Sequence, residues 1–383
     1  MTPNARISAA IDILDQVLGG MAAEAALLRW SRASRFAGSG DRNAVRDLVF
    51  DGLRRLRSRA ALGGSLSGRG VILGMCRETA IDPETVFTGE GHAPAPLTAA
   101  EREAGRPPQG AEALDLSDEI WPLWQKSLGA RAQDIAEAMQ DRAPVWLRVN
   151  TLKSNPDAAI AALQAEGITC QPHPELSTAL KVTAGARKIA ASLAYRDGLI
   201  ELQDLSPQLA CAALPKAKRA LDYCAGGGGK ALALAASGAG TVVAHDANIA
   251  RMSDLTHRAR RAGAPIQIAA PGRVKGQFDL VLVDVPCSGS GTWRRTPDAK
   301  WRFNVDMLHN LLQTQQEILD RVVPHVAPNG HLAYMTCSLL AAENDEQIEG
   351  FLARHSDFES DFQHSFLPPE ASDGFFMAVL RRC

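Results

Sequence analysis

Phe278-Asp279-Leu280-Val281-Leu282-Val283-Asp284-Val285-Pro286-Cys287-Ser288-Gly289-Ser290-Gly291 decides how this 383-residue chain is read. It opens with a short apolar run, the pattern of a strand buried on both faces of a parallel sheet. The run ends in an acid, a proline, a cysteine and a glycine-rich loop. Open α/β sheets bind their ligands at the carboxyl ends of such strands. A thiol there is either a small hydrophobe or a nucleophile, and this stretch alone leaves both open.

On either side of it, from residue 219 onward, strands and helices alternate. Strands are expected at 220–224, 241–245, 266–269, 279–284 and 331–336, with a closing strand at 374–380. Helices fall at 248–262, 307–322 and 343–354, and another follows the loop after the first strand. That alternation predicts a doubly wound parallel sheet, an α/β fold. The loop Ala225-Gly226-Gly227-Gly228-Gly229-Lys230 lies between the first strand and its helix, where backbone can approach a ligand at a helix amino terminus. Ala231 follows Lys230, so the nucleotide-triphosphatase pattern GxxxxGK[ST] is not met. Asp246 ends the second strand about 20 residues on, where an acid accepts from ribose hydroxyls. An adenosine-containing cofactor is the expectation, with a cap on the next helix as the alternative role for Asp246.

Upstream, residues 5–62 read as helices, stopped once by Gly19-Gly20, with Asp41 as the N-cap of a third helix. Residues 91–110 turn to Pro, Ala, Gly and charge, a linker or surface loop. Residues 114–139 return to short helices, and Trp121-Pro122-Leu123-Trp124 is expected to pack inward. Strands at 145–150 and 168–170 flank a helix at 157–166, and short elements follow to 202. The expected division is a helical domain at 1–140, a small α+β, RRM-like domain at 141–213 and the α/β domain at 214–383.

Hydrophobic residues make up 46% of the chain and its formal charge is -2, so no global basic field announces a nucleic acid, although a local patch would suffice. Arginines cluster at 54–57, 258–261 and 294–295. Seven scattered cysteines show no zinc spacing, so no metal is expected and a reducing cytoplasm is. No apolar run approaches ~18 residues and no leader pattern opens the chain, so a soluble protein without membrane association is expected.

A second cysteine shifts the reading of the first. Cys337 follows the fifth strand, in Tyr334-Met335-Thr336-Cys337-Ser338, as Cys287 follows the fourth. Two thiols beside a cofactor cleft point to covalent or redox chemistry.

With these motifs in hand, residues 145–383 resemble the Nop/Sun family of RNA cytosine-carbon-5 methyltransferases, of the bacterial small-subunit rRNA type. The likeness rests on Leu147-Arg148-Val149-Asn150-Thr151-Leu152-Lys153, Asp222 through Lys230, Asp246 with Arg251, Asp284 through Gly291 with Arg294-Arg295 and Pro297-Asp298, Thr336-Cys337-Ser338, and Asp373-Gly374-Phe375-Phe376. The helical region resembles, more loosely, a NusB-like RNA-binding domain. The resemblance implies a Rossmann-like methyltransferase domain and S-adenosylmethionine as cofactor. It implies an RNA substrate, 16S rRNA first and tRNA as the alternative, with 5-methylcytosine as product and a monomeric enzyme.

By the same resemblance Cys337 is the nucleophile, Cys287 the release residue and Asp284 the group that recognises and helps protonate the base. Cys224, Ala225, Gly226, Gly227, Gly228, Gly229, Lys230, Asp246, Arg251 and Asp284 are implied to hold the cofactor. Arg294, Arg295 and Lys300 are the expected phosphate contacts, a solvated loop being the plain alternative. Two departures stand out: Gly226-Gly227 where the family has Ala-Pro, and no acid after the third strand, at Ala269-Ala270-Pro271. A binding protein that has lost the cofactor, and a nicotinamide oxidoreductase, are the competing readings.

Overall fold

A pair of glycines ends the first helix. α1 (Pro3–Leu18) opens under the Thr2 side chain, which accepts from the Ala5 N–H, and stops at Gly19. Gly20 then takes φ +101°, a conformation that side chains resist. In this computed structural model, which describes residues 1–383, the chain forms two compact units. One is built from residues 1–142 with 292–305, the other from residues 143–291 with 306–383.

In the helical unit, α1 packs with α2 (Ala23–Ala33), α3 (Ser39–Arg54), α4 (Leu56–Gly63) and α5 (Gly68–Glu78). Their shared core includes Ile13, Leu14, Val45, Val49, Leu53, Val71 and Ile72. α5 lies where no helix was expected. Its glycines serve packing: a Cβ on Gly74 would stand 1.8 Å from the Arg59 carbonyl oxygen, so only glycine lets α4 and α5 approach so closely. Three short helices follow in this part, α6 (Ala99–Glu103), α7 (Trp121–Leu128) and α8 (Ala132–Ala138). The stretch 91–110, read as a linker, thus contains a helix, capped reciprocally by Thr98 and Glu101.

Two further expectations are corrected here. Asp41 is not the N-cap of α3. It sits three residues past Gly38, accepts that residue's N–H, and pairs with Arg6 and the amino terminus. The arginines of 54–57 are not a free basic face either. Arg54 is buried and donates to the Arg294 carbonyl, Arg55 pairs with Glu78 and Asp141, and Arg57 pairs with Asp118.

The second unit begins with β1 (Val145–Val149), α9 (Pro156–Ala165), β2 (Thr169–Pro172), β3 (Ala179–Ala184), α10 (Leu193–Arg196) and β4 (Ile200–Leu202). These strands make an antiparallel sheet of order β2-β3-β1-β4. β3 escapes sequence reading because only its first two residues are buried.

Then follow α11 (Leu205–Ala212), β5 (Arg219–Asp222), α12 (Gly229–Ala236), β6 (Thr241–His245), α13 (Leu255–Ala262), β7 (Ile266–Ala269) and β8 (Phe278–Asp284). After α14 (Pro297–Arg302), which belongs to the helical unit, come α15 (Val305–Val322), β9 (Val326–Thr336), α16 (Asp345–Arg354), β10 (Phe358–Phe366) and β11 (Phe375–Arg382). The seven-stranded sheet has the order β10-β11-β9-β8-β5-β6-β7. From β9 to β7 every pairing is parallel. β11 runs antiparallel to both neighbours, so the sheet is mixed rather than wholly parallel. The strand order turns back between β5 and β8, which opens a crevice at their carboxyl ends.

Candidate active site

β8 carries the stretch from which the sequence reading began. Its residues Leu280 through Val283 are fully buried, with helices on both faces of a parallel strand. β9 pairs beside it, with Asp284 opposite Met335. That adjacency brings the loops after the two strands together and sets the Cys287 and Cys337 sulfurs 3.4 Å apart. The Cys287 thiol is pushed well up, first by its hydrogen bond to Cys337, then by burial, by the Cys337 charge and by Glu343.

The loops around these thiols hang on one buried carboxylate that sequence reading missed. Glu343 has no exposed surface. Its oxygens accept from the Ser288 N–H at 2.8 Å, the Ser288 and Ser338 hydroxyls at 2.5 Å each, and the Gln315 amide at 3.0 Å. Ser290 spans the same gap, bonding Ser338 and accepting from the Leu339 N–H. Backbone adds a further tie, Gly291 N–H to the Cys337 carbonyl at 2.9 Å. An acid just before a helix ordinarily reads as a solvated charge near the dipole, so no local signal marked Glu343.

Asp284 receives the Lys230 ammonium at 2.5 Å. Burial by itself would lower the Lys230 pKa, yet Asp284, Cys211 and Asp222 outweigh it and raise it. Beside this pair lies a cavity of about 280 Å³, lined by Gln203, Pro207, Asp222, Cys224 through Gly227, Gly229, Lys230, Arg251, Arg258 and Asp284. Gly228 adjoins it at φ +81°, its α-carbon so close to Leu255 that a Cβ would collide at 2.1 Å. Asp246 stands behind the loop, accepting from the Gly226 N–H at 3.0 Å and pairing with Arg251 at 3.3 Å. It also accepts from the Asn248 N–H, but Asn248 itself caps the next helical turn, so the capping role weighed as the alternative for Asp246 is not met.

Asp222 closes the cavity floor. Both its oxygens are buried without a hydrogen-bond partner. Burial pushes its pKa up to about 7, against the pull of Lys230 and with Asp284 adding to it. Gln203, Pro207 and Arg258 were not foreseen as lining residues, and Asp222, though part of the stretch Asp222 through Lys230, was not among the residues implied to hold the cofactor. Asp222 at the end of the first strand was the one with a positional signal.

The expected phosphate contacts differ in their burial. Arg294, Arg295 and Lys300 all lie in the segment 292–305 of the helical unit. Lys300 is buried and donates to the Arg54 carbonyl at 3.1 Å, and burial lowers its pKa to about 8, offset in part by Asp115. Arg294 is buried as well. Arg295 is half-buried.

A mixed sheet of this order with a glycine loop after its first strand, a cavity beside it and two thiols at adjacent strand ends defines a Rossmann-like methyltransferase domain. Comparison carries this to the family. The profile of the 16S rRNA methyltransferase RsmB/F family matches residues 211–381, and that of its ferredoxin-like domain matches residues 121–187. The chain belongs to this family of S-adenosylmethionine-dependent methyltransferases.

Ribosomal RNA small subunit methyltransferase B of Cronobacter sakazakii is 34% identical over 285 residues, 68% of this chain. The match spans 66% of that relative's own length. Among solved structures, PH0851 superposes with a TM-score of 0.78 at 22% identity, over 100% of this chain and 99% of its own. NSun6 from Pyrococcus horikoshii with SFG does so at 0.63 and 16% identity, over 70% of this chain and 98% of its own. No helix of the chain is long and apolar enough to cross a membrane.

Proposed function

We propose that this chain methylates carbon 5 of a cytosine in RNA, 16S rRNA first among candidates, through a covalent adduct on Cys337. The observation that carries the reading is the Cys287–Cys337 pair, 3.4 Å apart at the ends of adjacent strands, beside the Lys230–Asp284 pair.

The cavity suits the cofactor. S-adenosylmethionine, when bound, supplies an electrophilic methyl group. Its positively charged end suits the unpartnered Asp222 carboxylate, and the exposed backbone of residues 225–229 accommodates close approach.

Carbon 5 of cytosine is a poor nucleophile. Addition of the Cys337 thiolate at carbon 6 forms a carbon–sulfur bond and moves electron density to carbon 5. Asp284, held by Lys230, hydrogen-bonds the base edge near ring nitrogen 3 and favours protonation there, which stabilises the adduct. The base is reached only in a single strand or flipped out of a stack.

After methyl transfer the proton on carbon 5 leaves to a base, the carbon–sulfur bond breaks, and its electron pair returns to Cys337. Cys287 serves as that base. While Cys337 is a thiolate it keeps Cys287 protonated, since the hydrogen bond and the like charge both raise the Cys287 pKa. Once Cys337 is a thioether, both of those causes vanish. Burial and Glu343 still raise it, so loss of the Cys337 charge makes Cys287 easier to ionise at the step that needs a base.

The experiment is a denaturing gel of Cys287→Ala purified from cells. An RNA ladder bound covalently is expected, absent in Cys287→Ala/Cys337→Ala, and sequencing the trapped RNA distinguishes rRNA from tRNA. A ladder that survives loss of Cys337 refutes the assignment of the nucleophile. No ladder, together with no binding of S-adenosylmethionine, favours an RNA-binding remnant.

A further inference from the structure

Four successive glycines, Gly226 through Gly229, make the loop that walls the cofactor cavity. Such a run has no conformational preference of its own, and ordering it on binding costs entropy. Something outside the loop must hold it in shape. Gly226 is held through its N–H by Asp246, and Gly228 donates to the Ala225 carbonyl at 2.8 Å. Gly227 is held from the other direction, its carbonyl accepting from Arg258 Nη1.

Arg258 is itself fixed. Its Nη2 lies 3.0 Å from Glu201, on β4 of the small antiparallel sheet, and Glu201 also takes Arg261 at 2.5 Å. Glu201 is 1% exposed, so its charge is committed to these two guanidiniums. One arginine thus joins the small sheet to the central glycine of the cofactor loop.

We propose that Glu201 and Arg258 form a strut that pre-orders the glycine loop for the cofactor, so that β4 of the small sheet sets cofactor affinity. Arg258 is a positioning residue in this scheme. The inference rests on reading the cavity as the S-adenosylmethionine site. Its physical content is that the strut takes over the rigidity that a proline would confer.

That equivalence can be tested at Gly227 itself. Its φ lies outside the left-handed region, its N–H makes no hydrogen bond, and a Cβ there would stand 3.1 Å from Arg258 Nη1. Proline at 227 and the Arg258 contact therefore compete for one space. The test is calorimetric binding of S-adenosylmethionine to the full chain, wild type, Arg258→Ala, Gly227→Pro and the double variant. Amide hydrogen exchange across residues 225–230 without cofactor is measured alongside.

Arg258→Ala is expected to weaken binding about tenfold, as the loss of a charge-assisted hydrogen bond does, and to speed loop exchange. Adding Gly227→Pro to it should restore protection and recover about threefold, whereas Gly227→Pro alone should bring no gain. Unchanged loop exchange in Arg258→Ala overturns the proposal. So does an affinity loss that proline cannot recover, which would make Arg258 a direct cofactor contact. Should Arg258→Ala fail to fold, Arg258→Gln carries the same comparison. A wild type that binds no S-adenosylmethionine refutes the cofactor reading alone, and the exchange measurement still decides the strut.

Discussion

Asp222 keeps both carboxylate oxygens inside the protein without a partner, and its pKa of about 7 makes it a pH sensor for the fold and the cavity. Between the ordinary aspartate value of 3.8 and about 7 the folded form holds a proton that the unfolded chain has lost, so stability falls as pH rises through that window. The slope is at most about 1.4 kcal/mol per pH unit. Asp222→Asn should flatten it in urea titrations run from pH 4 to 7. Binding of S-adenosylmethionine should tighten in the opposite sense, growing as Asp222 ionises near pH 7, and Asp222→Asn should remove that dependence in calorimetry.

Lys300 works with the other sign. Its folded pKa of about 8 lies below the 10.5 of the free side chain, so the unfolded chain binds the extra proton between those values. Stability should therefore rise with pH from about 8 to 10.5, and Lys300→Met should abolish the rise.

At the scale of elements, the loops after β8 and β9 are held in register by Glu343, two residues ahead of α16. Glu343→Ala strands the Ser288, Ser338 and Gln315 donors in the interior. A stability loss of about 2–4 kcal/mol by denaturant unfolding is expected. Methyl transfer should fall about 100-fold, because the thiols lose their mutual placement. Glu343→Gln keeps the shape and one acceptor and should fall between.

The β10–β11 hairpin teaches a related point. β11 was legible at 374–380 because its first six residues are apolar, buried between β9 and β10. β10 was not, since seven of its nine residues face solvent at the edge of the sheet and only its pairing with β11 marks it as a strand.

For the whole molecule, the segment 292–305 interrupts the second unit in sequence and joins the first in space. Trp293 stacks on Trp124 with ring centroids 6.1 Å apart, and the Trp301 indole donates to the Leu53 carbonyl at 2.7 Å. A chain truncated to 143–383 leaves both tryptophans without that core. It should aggregate on purification, and co-expression of residues 1–142 should restore soluble protein, as read by size-exclusion chromatography. The helical unit thus includes residues 292–305, which the sequence division at 140 and 213 did not reveal.

Periodicity and spacing by themselves determined the α/β class, the strands β6 and β7 to the residue, and the two cysteines as a pair worth joining. These features depend on local pattern: apolar runs for buried strands, glycines where backbone must turn or approach, a thiol at each strand end. The tertiary structure alone decided that β8 lies beside β9, that Glu343 ties their loops, that Asp222 floors the cavity unpartnered, and that Lys300 and Arg294 are interior. A charged side chain has the same local sequence signature whether water or a buried partner satisfies it. The choice is made by residues up to hundreds of positions away, as Lys300 and Arg54 show.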